Sequence, residues 1–287
     1  MNQPLWQLKK HMCDIGHRIW HRGFCAGNEG NHSVRISEDR VLCTPTGISK
    51  GFLEPDDLCV VDLEGNQVEP NPKGRKRTSE VLVHLAIYKK QPKIKAVIHS
   101  HPPHAVAFCL ANIPLPEGIH PEAEVFLGRT IFANYATPGG PDLPASFIER
   151  ITEQTTTILM ANHGSVSLGE DITDAYYKLE ILDNYCKQLI LAKQLGQVNV
   201  LNTQQMVELL KVKERFGFKD DRLSCATDGC VGVENEPFLT TFGVQPMSAH
   251  ANDQGNVNHT PATVPINEAE FEQLVQSITN QIVAGNK

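Results

Sequence analysis

The densest chemistry in the sequence lies between Ile94 and His104, where an apolar, β-branched run ends in His99-Ser100-His101-Pro102-Pro103-His104. Side chains two apart on a strand share a face, so His99 and His101 can present two imidazoles side by side. A divalent metal needs such a pair from one strand, and the prolines put it at the strand's exit because they cannot continue a central ladder. A second apolar run, Thr157 to Asn162, ends in His163-Gly164 and offers a third nitrogen. A His triad with one position left open describes a catalytic zinc site, whereas a closed structural site takes four protein ligands. The plainer alternative is that these are ordinary polar residues at strand ends.

Three polar turns accompany the histidines. Gly27-Asn28-Glu29-Gly30-Asn31-His32-Ser33 leads into an alternating strand, its glycines allow close backbone approach to a ligand, and Asn31 and Ser33 can donate hydrogen bonds. Thr44-Pro45-Thr46-Gly47 is a second turn with exposed amides. Thr78-Ser79-Glu80 opens a helix running to about Lys90; Thr78 or Ser79 is its natural N-cap, and its first-turn amides make an anion site. Glu80 there either balances the helix dipole or does chemistry. His84, one turn on and on the same face, is read as a packing residue. Arg75-Lys76-Arg77 is read as a solvated turn.

The elements that must position these residues follow from periodicity. Helices are expected over 4–22, from Thr78 to about Lys90, over 105–111, from Asp142 to about Gln154, from Asp171 to about Leu195 and over 203–216. Strands are expected after the 27–30 turn as far as Ile36, over 40–44, from Val60, from Ile94, over 129–134 and over 157–162. Alternation of the two kinds gives an α/β layered domain ending near residue 216.

With 287 residues and 40% hydrophobic content the chain can bury a real core. A net charge of −7 argues against nucleic acid as the main partner. No run of about 18 apolar residues exists to span a membrane, and Met1–Lys10 has no apolar signal core. Eight cysteines, several inside apolar runs (Cys43, Cys59, Cys109), are expected as reduced thiols of a cytoplasmic protein, and Cys225 and Cys230 match no standard zinc knuckle.

Read together, these segments resemble the class II aldolase/adducin family, and within it the bacterial L-fuculose-1-phosphate aldolases. The resemblance is carried, in the family's order, by Gly30-Asn31-His32-Ser33-Val34-Arg35, Thr44-Pro45-Thr46-Gly47, Ser79-Glu80 with His84, His99-Ser100-His101, Tyr135-Ala136-Thr137 and His163-Gly164. It implies a three-layer α/β/α domain with a mixed sheet, one zinc ion per subunit held by His99, His101 and His163, and Glu80 as the resting fourth ligand and catalytic acid/base. It also implies that Asn31, Thr46, Gly47, Thr78 and Ser79 cradle a substrate phosphate, and that the protein is a homotetramer with sites at subunit interfaces. Thr78 stands where the fuculose enzymes have serine. Two family tyrosines that handle the aldehyde end fall here at Pro121 and Phe216, which leaves Glu122 and Glu124 as nearby ionisable candidates. The activity implied is zinc-dependent cleavage of an L-fuculose- or L-rhamnulose-type ketose 1-phosphate to dihydroxyacetone phosphate and lactaldehyde. A pentulose-phosphate 4-epimerase, a methylthioribulose-1-phosphate dehydratase and a non-catalytic adducin-like scaffold are the alternatives.

The chain is expected to divide into a catalytic domain over 1–217, an extension over 218–243, a linker over 244–265 and an amphipathic helix over 266–287. The linker is poor in large apolar residues. Beyond it, Asn267 and Glu270 form a capping box, and Phe271, Leu274, Val275, Ile278 and Ile282 line one face. A helix with no core of its own wants a partner. This tail resembles the encapsulation peptides of bacterial microcompartment cargo, which implies a shell protein as partner and a location inside such a compartment. The alternative is a helix that docks on its own domain or on a sister subunit.

Overall fold

The strands are β1 (Asn31–Arg35), β2 (Arg40–Cys43), β3 (Cys59–Asp62), β4 (Ala96–Ser100), β5 (Ile131–Ala133), β6 (Thr157–Met160) and β7 (Gly164–Gly169). They form one seven-stranded sheet in the order β3-β2-β1-β4-β7-β6-β5, antiparallel except for the parallel β5–β6 pair. The structure is a computed structural model and describes residues 4–241. The expected linker over 244–265 and helix over 266–287 lie outside the described residues.

Alternation along the strands sends successive side chains to opposite layers. On one face Val41, Val61, Val97 and Val166 pack with Val81, Leu85 and Tyr88 of α2 (Val81–Lys90) and Leu143 of α4 (Asp142–Ala145). On the other, Leu42, Val60 and Ile98 pack with Met12, Ile15 and Ile19 of α1 (Leu5–His21) and with Ala175 and Leu179 of α5 (Ile172–Leu195). Further along that face, α5 joins Phe108 of α3 (Pro103–Ala111), Leu159 of β6 and Phe238 of α7 (Glu236–Thr241). Each large apolar side chain removed from water contributes about 1.5–3 kcal/mol. The mixed three-layer architecture is therefore as expected. No helix among the described residues is long and apolar enough to cross a membrane.

Residues 218–241 close over one end. Arg222, 4% exposed, pairs with Asp220 at 2.7 Å and with Glu124 at 2.8 Å, and Asp220 also pairs with Lys213 of α6 (Thr203–Arg215) at 2.7 Å. This buried network joins the extension to the turn over Ala123–Leu127.

The structure departs from the expectations in four places. The helix expected from Asp142 to about Gln154 stops at Ala145: Phe147 leaves helical geometry with φ −139 to bury its ring, and Thr152 and Thr155 close a polar turn. The α2 helix starts at Val81, with Glu80 and not Thr78 or Ser79 at its N-cap position. The reason lies upstream: Thr46 and Thr78 donate to the carbonyls of Lys76 and Thr44, which holds this stretch extended. β7 was not anticipated at all. Six cysteines are free and buried as expected, but Cys225 and Cys230 form a disulfide, because the turns around them bring their Cα atoms to 5.7 Å.

Candidate metal centre

β4 lies between β1 and β7, and this order assembles the centre. In the sheet register His99 stands opposite Asn31 on one side and Val166 on the other. The His99 Nδ1 lies 3.0 Å from the Ser165 carbonyl of β7, to which it donates, so its Nε2 carries the lone pair. Just past the strand, the His101 amide donates to the Phe24 carbonyl at 2.8 Å and fixes the chain as it leaves the sheet. His163 occupies the tight turn between β6 and β7, where Asn162 takes a left-handed conformation (φ 54). Gly164 allows that turn to lie on the other histidines; a Cβ there would come within 2.5 Å of the His101 ring and 2.8 Å of the Ser100 carbonyl.

The three rings offer ligand atoms that all lie within 4.8 Å of one another. The His99 and His101 Nε2 atoms are 3.2 Å apart. Glu80 joins them from the start of α2, with Oε2 at 3.4 Å from His99 Nε2 and Oε1 at 3.7 Å from His163 Nε2. A tetrahedral ion with bonds of ~2.1 Å holds its ligand atoms about 3.4 Å apart, so the spacing fits zinc. The chemistry of the donors fits as well. Burial pushes the pKa of all three imidazoles down, reinforced at His99 by repulsion from His163 and His101, so they are neutral and have lone pairs to give.

Of the residues expected from the sequence to bind an anion, Asn31 touches this group. Asn31 is buried and donates its amide to Glu80 Oε2 at 2.7 Å, so it faces the carboxylate directly. Thr46 and Gly47 are exposed in a turn where Pro45 bridges to Arg77, which places them beside buried Thr78 and exposed Ser79. Arg77 is more than part of a solvated turn: its guanidinium donates to the carbonyls of Thr78 (2.9 Å) and Gly65 (3.1 Å) and braces the approach to α2.

His84 is fully buried, with Nδ1 at 2.7 Å from the Ser33 hydroxyl, in keeping with a packing role. Glu124 is not an available proton donor. It is 3% exposed, takes the Gly118 amide and pairs with Arg222. Glu122 points to His120 at 3.3 Å, and Phe216 lies exposed beside Phe126. The sequence reading missed the Asn31–Glu80 link and the orienting Ser165 carbonyl. The first joins a strand to the start of a helix 49 residues on, and the second is a backbone group that no residue type announces.

Known proteins resemble this chain in sequence and in fold. The profile of the class II aldolase and adducin N-terminal domain matches residues 10–190. An L-fuculose phosphate aldolase of Methanococcus maripaludis is 35% identical over 183 residues, which covers 64% of this chain and 96% of that protein. A 3-oxo-tetronate 4-phosphate decarboxylase of Haemophilus influenzae is 36% identical over 183 residues, covering 62% and 85%. Among solved structures, an L-fuculose 1-phosphate aldolase superposes with a TM-score of 0.66 at 28% identity, covering 74% of this chain and 97% of its own. YgbL of Escherichia coli, described as a putative aldolase/epimerase/decarboxylase, superposes with a TM-score of 0.65 at 26% identity, covering 72% and 99%.

Proposed function

Because this chain belongs to the class II aldolase/adducin family, we propose that it is a metal-dependent carbon–carbon lyase that cleaves a ketose 1-phosphate of the L-fuculose or L-rhamnulose type. The products are dihydroxyacetone phosphate and lactaldehyde. The observation that carries this reading is the convergence of His99, His101, His163 and Glu80 beside the Asn31, Thr46–Gly47 and Thr78–Ser79 turns.

The three histidines and Glu80 would hold one zinc ion per subunit. Bound zinc supplies Lewis-acid stabilisation for the negative charge that develops as the carbon–carbon bond breaks. The C4 hydroxyl passes its proton to solvent, the C3–C4 bond breaks as the C4 carbonyl forms, and the electron pair stays with C3 until a proton reaches it. Glu80 is placed to deliver that proton, because its carboxylate is anchored by Asn31 at 2.7 Å and shares its position with the imidazoles. The exposed turns bind the phosphate away from the reacting carbons, and that binding orients the rest of the substrate.

A second reading, decarboxylation of 3-oxo-tetronate 4-phosphate, is favoured by the similarity to the Haemophilus decarboxylase and to YgbL. The two reactions share a chemical half. Breaking C1–C2 of that 3-oxo acid leaves an electron pair on the carbon beside a ketone that carries CH2-O-phosphate, the same three-carbon unit that retro-aldol cleavage leaves. They differ only in the departing group, an aldehyde or carbon dioxide. A panel of fuculose-, rhamnulose- and ribulose-phosphates and 3-oxo-tetronate 4-phosphate, assayed with metal analysis, separates them. Lactaldehyde with stoichiometric zinc supports the first reading, carbon dioxide the second. A metal-free protein that cleaves none of these overturns both.

We further propose that residues 266–287 dock on a microcompartment shell protein, a reading supported by the capping-box pattern and the apolar spacing of that segment, and that the protein works as a cytoplasmic homotetramer. Truncation after Pro261 should then leave zinc content, oligomeric state and turnover in dilute solution unchanged, while residues 262–287 carry a fused reporter into shells. A truncated protein with a destabilised catalytic domain would argue that the segment is structural.

A further inference from the structure

Lys50 follows the Thr46-Gly47 turn, yet it is 1% exposed. Its Nζ donates to the Asn28 carbonyl at 3.0 Å and to the Ile48 carbonyl. Asn28 belongs to the loop that leads to Asn31, and Ile48 comes directly after Gly47. One side chain thus cross-links the loop that leads to Asn31 and the segment that follows the Thr46–Gly47 turn. The loop it braces is itself tightly seated, because a Cβ on Gly30 would lie 3.1 Å from the His99 carbonyl.

An ammonium has three N–H donors. Here two go to carbonyls, which carry no net charge, and no carboxylate forms an ion pair with Nζ among the described residues. A buried charge without a counter-charge is costly, so a fold that keeps one has a use for it. Burial works against that charge, and the Glu29 carboxylate, which takes the Ala26 and Gly27 amides of the same loop, partly offsets it.

We propose that Lys50 is a positioning and specificity-determining residue, which fixes the 26–30 loop to the 46–49 turn and supplies the buried positive charge that a phosphate-bearing substrate answers. This rests on the sugar-phosphate reading above. Zinc-loaded, full-length protein titrated calorimetrically with inorganic phosphate at low ionic strength, where charge is least screened, is the test. Lys50→Gln keeps an N–H donor, on a shorter side chain, but has no charge. It should bind phosphate about tenfold more weakly and raise KM for the sugar phosphate by a similar factor, with zinc content and kcat little changed. Lys50→Arg, which keeps the charge, should stay within about threefold of wild type. Should Lys50→Gln not fold, Glu29→Gln serves: removing the offsetting carboxylate should tighten phosphate binding about threefold, and no change overturns the role. Wild-type protein that binds phosphate equally well as Lys50→Gln overturns the Lys50 assignment alone. The expected difference in a protein that cleaves no ketose phosphate leaves the assignment standing and overturns the aldolase reading. Wild-type protein that binds no phosphate overturns both.

Discussion

Glu80 shows how a residue's neighbours settle a choice that its sequence position leaves open. At the start of a helix it could serve the dipole alone, but its carboxylate lies within 3.7 Å of His163, 3.4 Å of His99 and 2.7 Å of the Asn31 amide. Glu80→Gln keeps the shape and can still accept from Asn31, but it cannot carry a proton. It should keep zinc and lose at least about two orders of magnitude in turnover. Solvent exchange of the C3 proton at the wild-type rate in this variant would remove Glu80 from the mechanism. The histidines were legible because same-face spacing and a strand exit are local patterns. The partner of Asn31 was not, since it sits 49 residues away in sequence, at the start of α2, and depends on how that helix packs against β1.

At the scale of elements, the β6–β7 hairpin turn is what delivers the third imidazole. Gly164 is its tightest point, and Gly164→Ala would push a methyl into the His101 ring and the Ser100 carbonyl. The turn must then shift, carrying His163 with it. Zinc affinity measured by chelator competition should fall about 10- to 100-fold, the usual cost of disturbing what orients a metal ligand, while far-ultraviolet circular dichroism stays unchanged. An unaltered affinity would show that the turn tolerates the methyl. Most strands and helices were legible as apolar periodicities. β7 was not, because Gly164-Ser165-Val166-Ser167-Leu168-Gly169 reads as a serine- and glycine-rich turn, yet every residue in it is buried. Its small polar side chains are set by close packing between neighbouring strands. The helix expected past Ala145 failed for the opposite reason: a strong core position for Phe147 overrode helical propensity.

For the whole molecule, buried neutral imidazoles set the response to acid. Burial holds both His32 and His84 at a pKa of about 3, against about 6.5 in the unfolded chain. The unfolded state therefore binds more protons below pH 6.5, so stability falls as pH falls through the window from about 6.5 to about 3. At pH 5 each group should cost about 2 kcal/mol relative to neutral pH. Denaturant midpoints compared at pH 7 and pH 5 should show this loss. It should shrink in His32→Gln, which can still donate to the Met12 carbonyl that His32 Nε2 meets at 3.0 Å; an equal loss in that variant would mean that His32 is not buried neutral. The strand order also fixes a sequence of events during synthesis. Among the described residues β7 is the last strand to emerge from the ribosome, yet it lies between β4 and β6 and is the piece that joins them. Until residue 169 is made, the nascent chain carries two half-sheets, each with a bare inner edge able to pair with a stranger. Its exposure to misassembly should therefore peak just before that strand is released, and chaperone contact or stalling is most consequential there.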